Sequence, residues 1–260
     1  MKKMQVRNSP QRRPLFLNQG SSVPVYRPAG NPEEYKRTAI LPSTQVVVFT
    51  PKAKNWQKVV TQTEVTDQFG LKSIGVTYDD APIFMVPTEL YTEVCASFGK
   101  GNYGLDTESD FRTQELRLIQ VSNGYATYIF KADALSVDSQ IGLPKFLKAK
   151  DRVKIGVDIE TDARRINNHY NAWLQKQADS IYRKRFEVGG IIDLQNLART
   201  FNTENPGISL KSLVATYLPE FEYKEMRHDS YLSPTKEQLV YAANDAVAPL
   251  QIYLRMFGKR

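Results

Sequence analysis

Residues Tyr103-Gly104-Leu105-Asp106-Thr107-Glu108 read as a short apolar strand that ends in two carboxylates one residue apart. Side chains two apart on a strand point to the same face, so Asp106 and Glu108 converge on one point in space. Like charges held that close require a counter-charge, and a divalent cation is the usual one. Asp-x-Glu is a common tripeptide, so the weight of this reading rests on what surrounds it.

Downstream, residues 115–121 place Leu116, Leu118 and Gln120 in alternation, Gly124 marks a turn, and residues 125–130 form another β-type run. Three strands joined by short turns make an antiparallel meander. Upstream, residues 83–86 read as a strand, and residues 88–97 as a helix with Leu90, Tyr91, Val94 and Cys95 on one face and Thr88 as N-cap. After Pro144 the pattern changes to a helix, a strand over 153–157, a long helix over about 161–177, a strand over 190–193 and a helix over 194–201. A meander followed by alternating units implies an α/β fold, a mixed sheet flanked by helices on both faces. The last helix is signalled by Ser233 as N-cap, Pro234 at the first helical position and an apolar face through Leu239, Val240, Ala243, Val247, Leu250 and Tyr253. Pro249 should kink it near its end. Tyr241 and Asp245 lie one turn apart on it, on the same face.

The rest of the chain divides by composition. Residues 1–60 carry eleven Lys/Arg against two Asp/Glu, while the whole 260-residue chain is +7, so the basic charge belongs to the N-terminal arm. Residues 1–42 hold six of the fourteen prolines and no acid before Glu33, which predicts a disordered basic arm. Such an arm favours a polyanion, and a solvated tail without a specific partner reads equally from it. A mitochondrial transit peptide would share this composition, but Pro10 and Pro14 leave room for barely two helical turns. Residues 43–81, with β-type runs at 45–49 and 73–78 and a helical turn or edge strand at 55–60, read as a small β-rich appendage. The main domain spans 82–260. No run approaches the roughly 18 apolar residues that cross a bilayer, so no membrane partner is expected. The lone Cys95 excludes an internal disulfide framework, and with His169 and His228 as the only histidines a structural zinc has almost no ligand set. An intracellular, reducing compartment fits, with the organelle open.

Over residues 82–258 the chain resembles the RNase D and Werner-type branch of the DEDD 3′–5′ exonucleases, the type with a catalytic tyrosine. Tyr103–Glu108 with residues 115–121 is similar to the family's first motif. Lys154-Ile155-Gly156-Val157-Asp158-Ile159-Glu160-Thr161-Asp162 is similar to the second, whose acid is its final Asp. Leu232-Ser233 through Tyr241-Ala242-Ala243-Asn244-Asp245-Ala246 is similar to the third and is the most specific. Asp193 matches an acidic family position that is not a metal ligand. The family's usual Ser-Trp stands here as Ser230-Tyr231, and the segment between Asp162 and Asp193 is longer than is typical.

The resemblance implies a ribonuclease H-like fold and a metal-dependent 3′–5′ exonuclease that releases nucleoside 5′-monophosphates from RNA or DNA. It implies two Mg²⁺ or Mn²⁺ ions, bridged by Asp106 and completed by Glu108, Asp245 and Asp162, with Tyr241 orienting the attacking water. Four carboxylates suit two hard cations that lower the pKa of water and clamp the reacting oxygens. A phenol with a reference pKa near 10 is a poor base, so a positioning role is expected of Tyr241. Asp158-Ile159-Glu160 is a second Asp-x-Glu, which with Asp193 and Asp245 would make a rival tetrad. It is followed by a helix where a first motif requires a meander.

Residues 145–185 hold eleven Lys/Arg with Tyr170, Trp173 and Tyr182 interleaved, a composition suited to a single-stranded nucleic-acid path and equally to an exposed helical face. Arg164, Arg165 and Trp173 are the candidate contacts. Two other functions remain open on this sequence: a nucleic-acid-binding or scaffold protein on an exonuclease fold, and a proofreading subunit held to a polymerase.

Overall fold

The structure, a computed structural model, describes residues 65–132, 142–176, 185–201, 208–221, 223 and 231–257. The arm over 1–42, the runs at 45–49 and 55–60, and Tyr182 lie outside these.

Seven strands form one mixed sheet: β1 (Gly75–Val76), β2 (Pro82–Met85), β3 (Gly101–Ser109), β4 (Leu116–Ser122), β5 (Thr127–Lys131), β6 (Arg152–Gly156) and β7 (Ile191–Asp193). Their order is β1-β2-β5-β4-β3-β6-β7. β3, β4 and β5 pair antiparallel as the expected meander, and β6 and β7 extend the sheet in parallel from β3. The described part of the upstream segment joins this same sheet, because β1 pairs antiparallel with β2 as an edge strand.

Alternation along the strands sorts side chains onto two faces. Phe84, Leu105, Ile119, Val121, Tyr128 and Phe130 point to one, where they meet α1 (Tyr91–Ser97), α2 (Gly142–Lys148) and α3 (Ile159–Lys176). Ile83, Leu118 and Ile129 point to the other, against α6 (Lys236–Phe257), which lies beside α4 (Leu194–Phe201) and α5 (Leu210–Tyr217). Helices therefore cover both faces, as the sequence pattern implies. No helix among the described residues is long and apolar enough to cross a membrane.

α6 sits unusually close to the sheet. A Cβ added at Gly104 would stand 1.8 Å from the carbonyl oxygen of Ala246, so only glycine admits the helix at this depth. Ala242, Ala243 and Ala246 supply the matching small surface on the helix, all fully buried.

Three expected helix starts are corrected. α6 begins at Lys236, not after Ser233. Thr235 Oγ1 accepts the Gln238 N–H (3.3 Å) while Gln238 Oε1 accepts the Thr235 N–H (2.7 Å), a reciprocal capping box two residues further on. α3 begins at Ile159, so Thr161 lies inside it and its hydroxyl donates back to Asp158 Oδ1 at 2.9 Å. Thr88 opens a 3-10 turn (Thr88–Leu90) with no side-chain cap, and α1 starts only at Tyr91. Pro249 lies inside α6, which continues through it to Phe257.

Candidate active site

β3 ends at the site. Even-numbered residues of this strand face α6, so Gly104 receives the helix and Asp106 and Glu108 extend the same face toward the strand's end. The pairing with β4 shifts register between Glu108 and Ser109, just past the second acid. From α6, Asp245 comes down on the pair. Carboxylate oxygens of Asp106, Glu108 and Asp245 lie within 4.8 Å of one another.

Asp162 approaches from the first turn of α3, on the opposite face of the sheet. Its Oδ1 accepts the Thr107 hydroxyl at 2.6 Å and the Arg165 guanidinium at 3.2 Å. It stands outside the close trio, but among the neighbouring charges it acts most strongly on Asp106.

Burial pushes all four acids above the ordinary carboxylate range, and repulsion within the cluster adds to it for Asp106, Glu108 and Asp245. Asp106 is raised well above it, by burial first and then by Asp162, Glu108 and Asp245. Burial raises Glu108 to about 8, against a hydrogen bond from Tyr231. It raises Asp245 to about 7, against hydrogen bonds from Tyr241 and Tyr223, and Asp162 to about 6, against Thr107 and Arg165. Four hard oxygen donors with one adjacent guanidinium, already engaged by Asp162, fit Mg²⁺ or Mn²⁺ and do not fit a soft or nitrogen-preferring metal.

Tyr241 stands one turn before Asp245, as its spacing implies. Its hydroxyl lies 3.0 Å from that of Tyr223, which also donates 3.1 Å to Asp245 Oδ1. Burial, then the Asp245 charge, push both phenols far up, so they stay protonated at neutral pH and act as hydrogen-bond donors. Tyr231, where the family's usual Trp would be, is buried with its hydroxyl on Glu108, so a phenol O–H stands as donor where the family has an indole N–H.

The rival tetrad does not assemble. Asp158 and Glu160 are exposed, and Asp193 caps α4 by accepting the Gln195 N–H at 2.7 Å. Of the candidate nucleic-acid contacts, Arg165 lines an open cavity of about 250 Å³ with Glu108, Phe111, Gln114 and Tyr231. Arg164 is exposed and bonds back to Thr161. Trp173 is half-buried eleven residues along α3 from Asp162, ~16 Å away at the helical rise. Tyr170 is corrected: it is 3% exposed and stacks on Phe186 in the core, so it offers no platform for a base.

The sequence reading missed Thr107 and Tyr223. Thr107 carried a signal, since a residue between two same-face acids must point to the other face, where the second-motif helix packs. Tyr223 carried none, because it reaches the site from a segment 18 residues upstream of Tyr241.

Carboxylates at the end of a central strand, facing a helix that carries a further acid, on this order of strands, define the ribonuclease H-like exonuclease architecture. The chain belongs to the 3′–5′ exonuclease family, whose sequence profile matches residues 87–258. Among solved structures it is similar to the EXO domain of Nibbler from Aedes aegypti (18% identity, 70% of this chain and 89% of that one, TM-score 0.52). It is also similar to the catalytic core of RRP6 from Trypanosoma brucei (16% identity, 75% of this chain and 49% of that one, TM-score 0.55). No curated protein matches the chain by sequence.

Proposed function

We propose that this chain hydrolyses the terminal phosphodiester at the 3′ end of RNA or DNA and releases nucleoside 5′-monophosphates. The observation that carries the reading is the convergence of Asp106, Glu108 and Asp245 within 4.8 Å, with Asp162 beside them. Asp106, central to the charge cluster, would hold two divalent cations together with Glu108, Asp245 and Asp162. Such ions, when bound, supply a lower pKa for water and neutralise the phosphate.

The chain's own groups do the rest. The protonated Tyr241 hydroxyl orients the attacking water by hydrogen bond. Water adds to phosphorus, the bond to the 3′ oxygen of the preceding nucleotide breaks, and that oxygen leaves as a hydroxyl. In the cavity, Arg165 offers a guanidinium to phosphate, and Phe111, 70% exposed, offers a ring face to a base.

The reading is tested on 5′-labelled single-stranded RNA, single-stranded DNA and recessed duplexes with Mg²⁺. A ladder shortening from the 3′ end, with nucleoside 5′-monophosphate as product, is expected. Internal cuts, 3′-monophosphate products, or binding without cleavage would overturn it, the last favouring a binding protein on this fold.

A further inference from the structure

The family match begins at residue 87, yet a residue upstream of it is joined to the site by an unbroken series of contacts. Tyr78 lies in the turn between β1 and β2. Its ring stacks on Phe221, with centroids 3.8 Å apart and planes 22° from parallel. Phe221 meets Tyr223 nearly edge-on, at 6.1 Å and 82°. The Tyr223 hydroxyl then reaches Tyr241 and Asp245. Two polar contacts fix the same turn to α6: the Tyr78 N–H donates 2.9 Å to Asn244 Oδ1, and Asp79 Oδ2 accepts from Gln251 Nε2 at 3.1 Å.

Tyr223 lies in no helix or strand, and among the described residues its ring meets Tyr241 on the side of the site and Phe221 behind, with Tyr78 covering Phe221. We propose that Tyr78 and Phe221 are positioning residues: the segment upstream of the exonuclease match clamps Tyr223 onto Tyr241 and Asp245 and so completes the active site. The inference rests on the nuclease reading above. The ring of Tyr78 is the working part, because its hydroxyl has no hydrogen-bond partner among the described residues.

The test uses the full chain with Tyr78→Ala, Tyr78→Leu and Tyr78→Phe, reading kcat and KM on a single-stranded substrate and Mn²⁺ affinity by calorimetry. Tyr78→Ala and Tyr78→Leu lower kcat by about 10- to 100-fold, the scale of a small misplacement of a reacting group, with KM within about twofold. Mn²⁺ binding weakens in both, and Tyr78→Phe restores both readouts. Tyr78→Leu keeps apolar bulk, so it reports on the stacked ring even where Tyr78→Ala fails to fold. Wild-type kcat and Mn²⁺ affinity in Tyr78→Leu, or a loss that Tyr78→Phe does not restore, overturns the clamp and leaves the nuclease reading standing. A wild-type chain that neither binds Mn²⁺ nor cleaves overturns both.

Discussion

The hydroxyl of Thr107 donates 2.6 Å to Oδ1 of Asp162, joining the strand that carries Asp106 and Glu108 to the helix on the other side of the sheet. One tripeptide thus serves both faces: its outer residues form the acid pair, and its middle residue fixes the fourth acid. Both partners are buried, Thr107 at 5% and Asp162 at 4% exposure.

Thr107→Val keeps the shape and removes the donor, and a lost hydrogen bond to a buried charge costs about 1.5–3 kcal/mol. Turnover is expected to fall by about tenfold or more, with Thr107→Ser close to wild type. Steady-state kinetics on the three proteins check this, and equal activity in all three would remove the role.

Metal-free stability should depend on pH in a defined direction. Glu108, Asp245 and Asp162 are raised to about 8, 7 and 6, so the native chain holds protons that the unfolded chain, near pH 4, releases. Stability is full below the unfolded values and falls as pH rises through the folded ones. In EDTA the melting temperature should be higher at about pH 5.5 than at about pH 8, and Mg²⁺ or Mn²⁺ should raise it more at the higher pH. A melting temperature in EDTA that rises over this interval would contradict the assignment.

Gly104→Ala tests the depth at which α6 lies. The new methyl would meet the Ala246 backbone, which cannot move without carrying Asp245 with it. A loss of roughly 3 kcal/mol or more is expected, together with activity. Gly99→Ala, where nothing lies within 4 Å, is the control. Thermal melts that show equal stability for both variants would refute the close approach.

The two similar acids on the β6–α3 corner should separate cleanly. Asp158 is exposed and left-handed, with φ of 57°, a backbone that Asn tolerates well. Asp158→Asn should stay within about threefold of wild type, while Asp162→Asn should lose about 10²-fold or more in kcat. Reversed outcomes would transfer the second-motif role to the rival set.

Much of this architecture is readable in the chain because its periods are strong. Alternation through Leu116, Leu118 and Gln120 with the turn at Gly124 gives the meander, and helical spacing puts Tyr241 and Asp245 on one face, which the family resemblance makes the third motif. Helix starts were less legible: Ser233-Pro234 reads as the cap of the last helix, and only the reciprocal bonds of Thr235 and Gln238 in the folded chain place the start two residues later. Tyr170 was misread by composition although its period was available, since Ile159, Ala163, Ile166 and Tyr170 share one helical face and all are buried. Tyr223 was beyond reach, because only the folded chain brings Phe221 and Tyr78 behind it.

The central claim is that Asp106, Glu108, Asp245 and Asp162 hold divalent cations for hydrolysis from the 3′ end. Its most direct test follows a 5′-labelled single strand with wild type and Asp106→Asn, first in EDTA and then after adding Mg²⁺ or Mn²⁺. The account predicts no cleavage by either protein in chelator, a 3′-shortened ladder from the wild type once metal is added, and none from Asp106→Asn. Cleavage that persists in EDTA, or an Asp106→Asn protein as active as the wild type, would contradict it.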